Sequence, residues 1–302
     1  MTGASGMVGQ ALCAALAREG VSFCALSRDP EQVRRQVPGA RSYQLWQPIE
    51  RGGARVEAVE EARAVVHLAS PLVASARWTD ARRQEVYDAC VMGTRGVVSS
   101  LAQASSRPDV LVCASTVAYY AFDGSGELES DEGAAAGEDF FSRLAADWEA
   151  EALHAEHFGV RTVVLRTAMV LGPGGAVARL RRAARLGMGG APAPGTQRQP
   201  WIHLDDEVGL LLLALGDARV TGALNAVSPH AVSSTEFMDT LATLIGTASG
   251  LAPPDWLLHS RFGAAAVSVT QGRGAVPARA LELGYEFRRP RLDDALQQAL
   301  AA

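Results

Sequence analysis

Three glycines at the start of the chain constrain its fold more than any other feature of the sequence. They stand at positions 3, 6 and 9 and lead into an amphipathic segment, Met7–Glu19. In a dinucleotide-binding turn the first glycine permits a tight turn, the second lets the backbone approach a pyrophosphate, and the third lets the helix pack on the sheet. The free N–H groups and partial positive charge of the helix N-terminus then hold the phosphates. The pattern therefore predicts that a dinucleotide is bound by Gly3, Ser5, Gly6, Met7, Val8 and Gly9.

Short apolar runs alternate with longer amphipathic segments through the first 170 residues. Short segments in which apolar residues alternate with polar ones, or follow one another without interruption, predict strands. These segments are Val21–Ser27, Ser42–Trp46, Ala64–Leu68, Val110–Ala114 and Arg161–Leu165. Helical periodicity predicts helices at Met7–Glu19, Arg77–Ala104 and Glu138–His157. This alternation predicts a Rossmann-type α/β fold, with a doubly wound parallel sheet and helices on both faces. Ligands in such sheets bind at the carboxyl ends of the strands.

The predicted sheet lacks a complete first strand, because only Met1 and Thr2 precede the first glycine. A bacterial GTG codon can be read either as the initiator methionine or as an internal valine. We therefore expect Met1 to be a strand valine and translation to start upstream, which mass spectrometry of the native protein tests. Without that strand the sheet is expected to lose stability.

The regular alternation loosens after residue 170. Gly172–Gly175 and Gly187–Gly195 are rich in glycine and proline and predict loops that border a pocket. Trp201–Leu215 returns to ordered structure, and Pro253 and Pro254 mark a joint. We predict a nucleotide-binding domain over residues 1–170, rejoined by residues 198–228, and a smaller substrate-side region over residues 171–302 that includes a C-terminal piece, 251–302.

Bulk composition excludes several chemistries. All 28 basic residues are arginine, so no lysine can form a Schiff base, bind phosphate in a Walker loop or stabilise a tyrosinate. The net charge of −5 and the lack of a basic stripe argue against nucleic acid as a partner. The longest apolar run, Val208–Leu215, is too short to span a bilayer, so no membrane association is expected. The cysteines form no CxxC pair and predict free thiols in a reducing cytoplasm, with no metal site: Cys13, Cys24, Cys90 and Cys113.

The end of the second predicted strand bears on which dinucleotide is bound. Ser27 and Arg28 stand where an acidic residue would bind the ribose hydroxyls of NAD. An arginine suits the 2′-phosphate of NADP instead, because its planar fork pairs with phosphate. Asp29 follows directly, so NAD(H) stays open. The sequence favours NADP(H) over NAD(H).

Several short motifs follow the glycine pattern. They are Val66-His67-Leu68-Ala69, Arg77-Trp78-Thr79, Gly93-Thr94, Ser115-Thr116-Val117-Ala118-Tyr119-Tyr120, Asp139-Phe140-Phe141, Trp148-Glu149, Arg166-Thr167, Trp201-Ile202-His203 and Asp206. With them the chain resembles extended short-chain dehydrogenases/reductases, and in particular an epimerase-like family whose bacterial members are often labelled nucleoside-diphosphate-sugar epimerases. Val276-Pro277 and Gly284-Tyr285-Glu286-Phe287 resemble the C-terminal domain of that family. The resemblance covers essentially the whole chain.

The resemblance implies a site that binds NADP(H) and a small-molecule substrate, and it leaves a homodimer open. It implies cofactor contacts by the glycine turn and by Ser27, Arg28, His67, Leu68, Ala69 and Arg166. It implies substrate contacts by Arg77, Trp78 and Trp201. For Arg77 and Trp78, packing at the start of a helix is the alternative role.

The pair of residues that the superfamily uses to transfer protons is missing. Its members carry a Tyr-x-x-x-Lys pair in which the lysine stabilises the tyrosinate. Counted from Glu149, the tyrosine and lysine positions fall on Phe141 and Ala145. Phenylalanine has no proton to transfer and alanine has no charge. Any acid–base chemistry therefore has to use other residues.

Four residues after the fourth predicted strand are the candidates for that chemistry. The resemblance places Ser115 and Thr116 where a substrate carbonyl would be hydrogen-bonded. Tyr119 or Tyr120 could serve as a substitute acid, and packing is the alternative role of these two side chains.

Two functions remain open on the sequence. The first is an NADP(H)-dependent oxidoreductase or epimerase-like enzyme that acts on an unidentified small molecule. The second is a non-catalytic NADP(H)-binding protein that senses redox state or regulates a partner. NADPH absorbance in the presence of a metabolite panel discriminates an oxidoreductase from a non-catalytic protein, because the oxidoreductase consumes the cofactor.

Overall fold

Helices and strands alternate along the chain as the apolar segments predict. The computed structural model describes residues 1–47, 56–71, 78–122, 128–263 and 270–301. The strands are β1 (Cys24–Ser27), β2 (Ser42–Leu45), β3 (Ala64–His67), β4 (Val110–Thr116), β5 (Arg161–Thr167), β6 (Met169–Leu171), β7 (Trp201–His203) and β8 (Gly222–Ala226). The helices are α1 (Met7–Arg18), α2 (Pro30–Gln36), α3 (Val56–Glu60), α4 (Asp80–Tyr87), α5 (Gly93–Gln103), α6 (Phe140–Leu153), α7 (Gly175–Arg185), α8 (Leu204–Gly216), α9 (Ser234–Ile245), α10 (Asp255–Phe262), α11 (Ala278–Glu282) and α12 (Leu292–Ala301).

A parallel sheet forms the centre of the fold and confirms the predicted Rossmann-type α/β class. β3, β4, β5 and β8 form one continuous sheet in that order, and β1 pairs with β2. The start of the chain lies between these two parts, where Thr2 forms parallel bridges to Leu26 and to His67. The N–H of Thr2 donates to the Val66 carbonyl at 2.9 Å, and the N–H of Leu26 donates to the Met1 carbonyl at 2.8 Å. Two residues therefore occupy the central position of the sheet.

The two faces of the sheet carry separate apolar clusters. On one face Leu165 packs with residues of α1 and α8, and on the other face Val164 packs with residues of α4 and α6. Successive side chains of a strand point to opposite faces. Arg166 therefore lies on the α6 face and Thr167 on the α8 face. This alternation decides which chemical groups can meet at the carboxyl end of β5.

The end of α1 explains why the first described strand is shorter than predicted. Gly20 adopts a left-handed conformation, with φ of +69°, directly after the end of the helix. The N–H of Val21 then donates to the Leu16 carbonyl at 2.8 Å. Because this bond closes the helix end, as glycine-terminated helices commonly do, β1 begins at Cys24 rather than at Val21.

Helix caps also explain the bounds on the other face of the sheet. The helix predicted over Arg77–Ala104 starts after Thr79, whose hydroxyl accepts the N–H of Arg82 at 3.2 Å. A π-helical turn, Asp88–Met92, separates α4 from α5. Asp139 caps α6 by accepting two backbone N–H groups of its first turn. The cap holds the start of α6 beside the carboxyl end of β4.

The residues after position 170 contribute to two parts of the fold. β8 pairs with β5 in the main sheet, whereas β6 and β7 pair with each other. Leu171, Trp201, Phe237, Leu241 and Leu296 share one apolar cluster, which joins β6 and β7 to α9 and α12. In the part of the chain that the structure describes, no helix is both long and apolar enough to cross a membrane. The predicted domain boundaries stay a prediction.

Candidate cofactor and substrate site

The glycine turn packs directly on the end of β3. Gly3 has φ of +71°, and a Cβ atom there would lie 2.6 Å from the carbonyl carbon of Leu68 and 2.9 Å from the nitrogen of Ala69. A Cβ atom at Gly9 would collide with the carbonyl oxygen of Gly3. The Thr2 hydroxyl accepts the N–H of Ala69 at 3.3 Å. Glycine is therefore required at both positions for α1 to approach the sheet this closely.

The N-terminus of α1 is open toward an anion. Gly6 stands at its cap position with no side-chain hydrogen bond to the helix, and the first turn contains no acidic residue. A Cβ atom at Gly6 would meet only the Gly3 carbonyl oxygen within 4 Å, at 3.4 Å. Met7 and Val8 are partly buried, and Ser5 is exposed. Uncapped N–H groups and the helix dipole suit a phosphate, so the residues of this turn fit a dinucleotide.

The free charge at the end of β1 is positive. Asp29 caps α2, because its Oδ1 accepts the N–H of Gln32 at 2.9 Å. The Ser27 hydroxyl accepts the N–H of Asp29 at 3.1 Å. Arg28 is exposed and makes no hydrogen bond or ion pair within the described ranges. The carboxylate that could bind the ribose of NAD is thus engaged with a helix, while the guanidinium is available to a phosphate.

His67 is a buried link beneath the glycine turn. Its Nδ1 lies 2.7 Å from the Thr2 hydroxyl, and its ring meets Trp46 edge-on at 5.4 Å. Burial lowers the pKa of His67 to about 4, so the imidazole is neutral at pH 7. This neutral ring, with the backbone of Leu68 and Ala69, forms the floor on which the turn rests.

A buried ion pair lies on the α6 face, at the carboxyl ends of β4 and β5. The Nε and Nη2 atoms of Arg166 donate to the two carboxylate oxygens of Glu149 at 2.9 and 2.8 Å. Ser115 donates its hydroxyl to the same carboxylate at 2.5 Å. Nη1 of Arg166 donates to the Tyr120 hydroxyl at 2.9 Å, and the guanidinium carbon lies 3.5 Å from the centre of the Tyr119 ring. Arg166, predicted as a cofactor contact, thus directs most of its N–H groups into this network.

Tyr120 is fully buried inside the network. Its hydroxyl donates to Oδ1 of Asn225 at 2.7 Å. Burial raises the pKa of Tyr120 to about 12, although Arg166 opposes the shift. The hydroxyl therefore stays protonated at neutral pH and is held between two partners inside the protein. The sequence singled out the tyrosine but missed Asn225, whose only signal is that the chain has a single asparagine.

The positions of the superfamily's tyrosine and lysine are apolar and closed. Phe141 and Ala145 are both buried on α6. The Phe141 ring meets Trp78 edge-on, with ring centres 4.8 Å apart, and Trp78 is itself buried. The predicted substrate residue Trp78 therefore packs in the core of this face. Arg77, its predicted partner, lies outside the described residues.

The C-terminal part of the chain holds the turn that follows β4. Nη2 of Arg273 lies 3.1 Å from both carboxylate oxygens of Asp139, and its Nη1 lies 3.0 Å from the Ser142 hydroxyl and also binds the carbonyl of Tyr120. The guanidinium carbon lies 3.7 Å from the centre of the Phe122 ring. Arg273 could not be predicted from the sequence, because nothing in its local pattern relates it to residues more than a hundred positions away.

Trp201 borders a small cleft between the C-terminal residues and β7. Arg198, Ser228, His230 and Arg273 also line this cleft. Trp201 is nonetheless 1% exposed and packs in the cluster with Phe237.

Over the described ranges no group of three or more His, Cys, Asp or Glu side chains is arranged to hold a metal ion.

A second buried glutamate lies on the α8 face. Glu207 accepts the Thr167 hydroxyl at 2.8 Å through Oε1. Burial raises the pKa of Glu207 to about 8, although the Thr167 hydrogen bond lowers it. Thr116 is the register partner of Thr167 in β4, and its own hydroxyl accepts the N–H of Ala118 at 3.2 Å. Ser115 and Thr116, predicted as one catalytic pair, therefore face opposite sides of the sheet.

Comparison with protein-family models assigns both parts of the chain. Residues 1–226 match the NAD dependent epimerase/dehydratase family. Residues 253–299 match a domain of unknown function, DUF1731. The two matched segments follow one another along almost the entire chain.

Known proteins with similar sequences align over nearly their whole length. The human epimerase family protein SDR39U1 is 32% identical over 304 residues, which cover 99% of this chain and 98% of the human protein. The epimerase family protein YfhF of Bacillus subtilis is 28% identical over 301 residues, covering 100% of this chain and 97% of YfhF. The crystal structure of human SDR39U1, isoform 2, with NADPH superimposes with a TM-score of 0.86 at 30% identity, over 99% of this chain and 98% of the human one.

Proposed function

The chain belongs to the NAD dependent epimerase/dehydratase family, as its motifs predicted, and we propose that it binds NADP(H) and acts as an oxidoreductase or epimerase-like enzyme on a small molecule. The observation that carries the cofactor choice is the end of β1, where Asp29 caps α2 and Arg28 has no hydrogen bond or ion pair with any residue that the structure describes. The human relative solved with NADPH supports the same choice.

Three parts of the chain would hold the cofactor. The N–H groups at the start of α1 would bind the pyrophosphate. Arg28 and Ser27 would bind the 2′-phosphate, since a guanidinium pairs well with phosphate oxygens. His67, Leu68 and Ala69 would support the nucleotide from beneath, as they support the glycine turn. None of these contacts needs a lysine.

When bound, the nicotinamide supplies or accepts a hydride, which is the difficult part of the chemistry. The residues of the chain orient the substrate at the carboxyl ends of β4 and β5 and move its protons. Thr116 is partly exposed at this edge and can donate a hydrogen bond to a substrate oxygen. The buried network on the other face of the sheet contains Ser115, Tyr120 and Arg166. The ring of the partly exposed Tyr119 packs on the guanidinium of Arg166.

Replacing Arg28 tests the cofactor choice. Arg28→Gln should weaken NADPH binding by roughly 10- to 100-fold, because a charged hydrogen bond to phosphate contributes about 1.5–3 kcal/mol. NADH lacks the 2′-phosphate, so its affinity should not fall. Arg35→Gln on α2, another exposed arginine with no partner within the described ranges, is the matched control. Nicotinamide fluorescence titration measures all these affinities, and equal losses for NADPH and NADH in Arg28→Gln would refute the assignment.

A non-catalytic role is the second candidate, and one specific observation favours it. The apolar Phe141 and Ala145 close the place where the superfamily keeps its acid and its cation, and Tyr120 is buried. A redox-sensing or regulatory protein would need the cofactor site but no acid. Tight NADPH binding with neither NADPH consumption nor isomerisation of any member of a metabolite panel would favour this role over the enzyme.

A further inference from the structure

A carboxyl group with one unpartnered oxygen lies inside the protein, on the face of β5 opposite Arg166 and Glu149. Glu207, in the first turn of α8, is 2% exposed, and its Oε2 has no hydrogen-bond partner among the residues that the structure describes. Its Oε1 lies 2.8 Å from Thr167 Oγ1. A carboxylate buried in this way loses its hydration without gaining a cation, so the neutral acid is its stable form near neutral pH.

The charged or titratable side chains near this carboxyl are engaged elsewhere or distant along their elements. Those of α1, α8, β4, β5 and β7 are Asp205, Asp206, Arg18, Arg161, Arg166 and His203, with the thiols Cys13 and Cys113. Tyr285 also approaches α8, and its hydroxyl lies 3.2 Å from Oδ1 of Asp206. Asp206 accepts the backbone N–H groups of Arg288 and Arg289 at 2.7 and 2.9 Å. Arg161 donates to carbonyls at the far end of α8, and Arg166 faces the other side of the sheet. Burial and the Thr167 hydroxyl are therefore what set the proton on Glu207.

Thr167 connects this carboxyl to the edge of the sheet. It is the last residue of β5 and is partly exposed, at the edge where parallel sheets bind their ligands. Thr116 is its register partner, and neighbouring strands lie about 4.8 Å apart, so the two side chains share one face. Thr116 is one of the two residues that the superfamily resemblance places against a substrate oxygen, and the other, Ser115, donates its hydroxyl to Glu149 on the opposite face. The Thr167 hydroxyl thus lies between the buried carboxyl and the edge of the sheet at which that oxygen would bind.

We propose that Glu207 supplies the proton that the missing tyrosine would have supplied, and that it acts through the hydroxyl of Thr167. The inference rests on the proposed NADP(H)-dependent function. When the carbon of a substrate carbonyl gains a hydride, the C=O double bond becomes a C–O⁻ single bond. The Thr167 hydroxyl, which donates to Glu207 Oε1 at rest, turns to donate its proton to that oxygen, and Thr167 Oγ1 then takes the carboxyl proton of Glu207. Glu207 is left as a carboxylate and regains a proton from water, and the reverse transfers accompany oxidation.

Infrared spectroscopy of the protein alone tests the proton and its path. The carbonyl stretching band of a protonated carboxylic acid should be present in the wild type near neutral pH and absent in Glu207→Gln. Glu236→Gln removes an exposed glutamate of α9 and should leave the band unchanged. On transfer to D₂O the band shifts as the proton exchanges. Thr167→Val should slow this exchange by about tenfold or more, because exchange then needs a local opening that costs about 1.4 kcal/mol.

Two further variants keep the exchange test decisive. Thr167→Ser keeps the hydroxyl and should restore the wild-type exchange rate. Thr167→Ala removes it without adding a methyl group, so it repeats the test if valine disturbs packing. A wild type without the band, a band that persists in Glu207→Gln, or an exchange rate that neither Val nor Ala changes would each overturn the proposal. These results do not depend on cofactor binding, so they separate this inference from the NADP(H) proposal.

Turnover of a probe substrate tests the donor role itself. Phenanthrenequinone, an aromatic dicarbonyl, would be the hydride acceptor, and NADPH affinity would be titrated in parallel. Glu207→Gln should lower turnover by about 10²-fold, within the range of general acid catalysis, with NADPH affinity unchanged. Turnover equal to the wild type would overturn the donor role, as would a wild type that binds NADPH and never reduces the quinone.

Discussion

Two buried glutamates flank the same strand and have opposite surroundings. Glu149, 5% exposed, receives two hydrogen bonds from Arg166 and one from Ser115. Glu207, 2% exposed, receives one hydrogen bond from Thr167 and has no cation beside it among the described residues. The residue type and the burial are nearly equal, so partners alone separate the two. One face of β5 carries a fixed pair of charges and the other carries an acid that can lose its proton.

This difference assigns different tasks to the two faces. A buried ion pair with satisfied hydrogen bonds fixes the positions of its side chains, because moving either charge away would leave the other buried without a partner. Burial opposes the charge of Arg166, but its hydrogen bonds with Glu149 prevail and raise its pKa. A buried acid without a cation does not carry a fixed charge. Its proton can instead be lost and regained near neutral pH. The α6 face is therefore suited to holding the turn after β4, and the α8 face to proton transfer.

The largest expected effect comes from breaking the ion pair. Arg166→Met leaves Glu149 buried without its cation and should reduce the free energy of unfolding by about 3–5 kcal/mol. The double variant Arg166→Met/Glu149→Leu should recover most of that loss, because no buried charge remains. Urea denaturation measures both. A single variant as stable as the wild type would show that the pair does not hold this face.

An ion pair with one exposed partner joins α5 to α6 and provides the control for that experiment. Arg95 of α5 binds Glu151 of α6 with two hydrogen bonds, and the Arg95 side chain is 52% exposed whereas that of Glu151 is 12% exposed. Arg95→Met should therefore cost no more than about 1 kcal/mol. The contrast between Arg95→Met and Arg166→Met isolates the effect of burial from that of pairing.

The next effect is the pH dependence of stability that Glu207 creates. Its pKa is raised from 4.5 to about 8 in the folded protein, so between these values the folded state holds one proton more than the unfolded state. Stability from this group is complete below pH 4.5 and is lost as pH rises toward 8. The slope is about 1.4 kcal/mol per pH unit for one proton. Wild-type stability relative to Glu207→Gln should fall with this slope, and parallel curves in urea denaturation across pH 5–8 would contradict the neutral acid.

The cofactor end of the site could be predicted because its signal is local. Gly3, Gly6 and Gly9 lie within seven residues, and the turn needs only their spacing and the following helix. The buried network at the carboxyl ends of β4 and β5 could not, because it is assembled from residues far apart in the sequence. Tyr120 and Asn225 are 105 positions apart, and Asp139 and Arg273 are 134 positions apart. Neither separation leaves a periodic trace in the sequence.

The same limit explains why the acid on the α8 face was missed. Three consecutive acidic residues, Asp205, Asp206 and Glu207, open α8, and acidic residues are favourable in the first turn of any helix. Local pattern therefore assigns all three to an ordinary helix start. Only the packing of α8 on the sheet shows that Glu207 is buried without a cation while Asp206 binds backbone N–H groups.

The smallest effect separates the two neighbouring tyrosines of the α6 face. Tyr120→Phe removes the hydroxyl between Arg166 and Asn225 and should cost about 1–2 kcal/mol of stability, because both partners stay buried. Tyr119 contacts Arg166 through its ring, and its hydroxyl has no partner within the described ranges, so Tyr119→Phe should cost less than about 0.5 kcal/mol. Urea denaturation of the two variants compares them directly. Since Tyr120 holds its proton to a pKa of about 12, Tyr120→Phe should also leave the Glu207 infrared band and its exchange unchanged. A lost or altered band would mean that proton transfer crosses the sheet and that the two faces do not act separately.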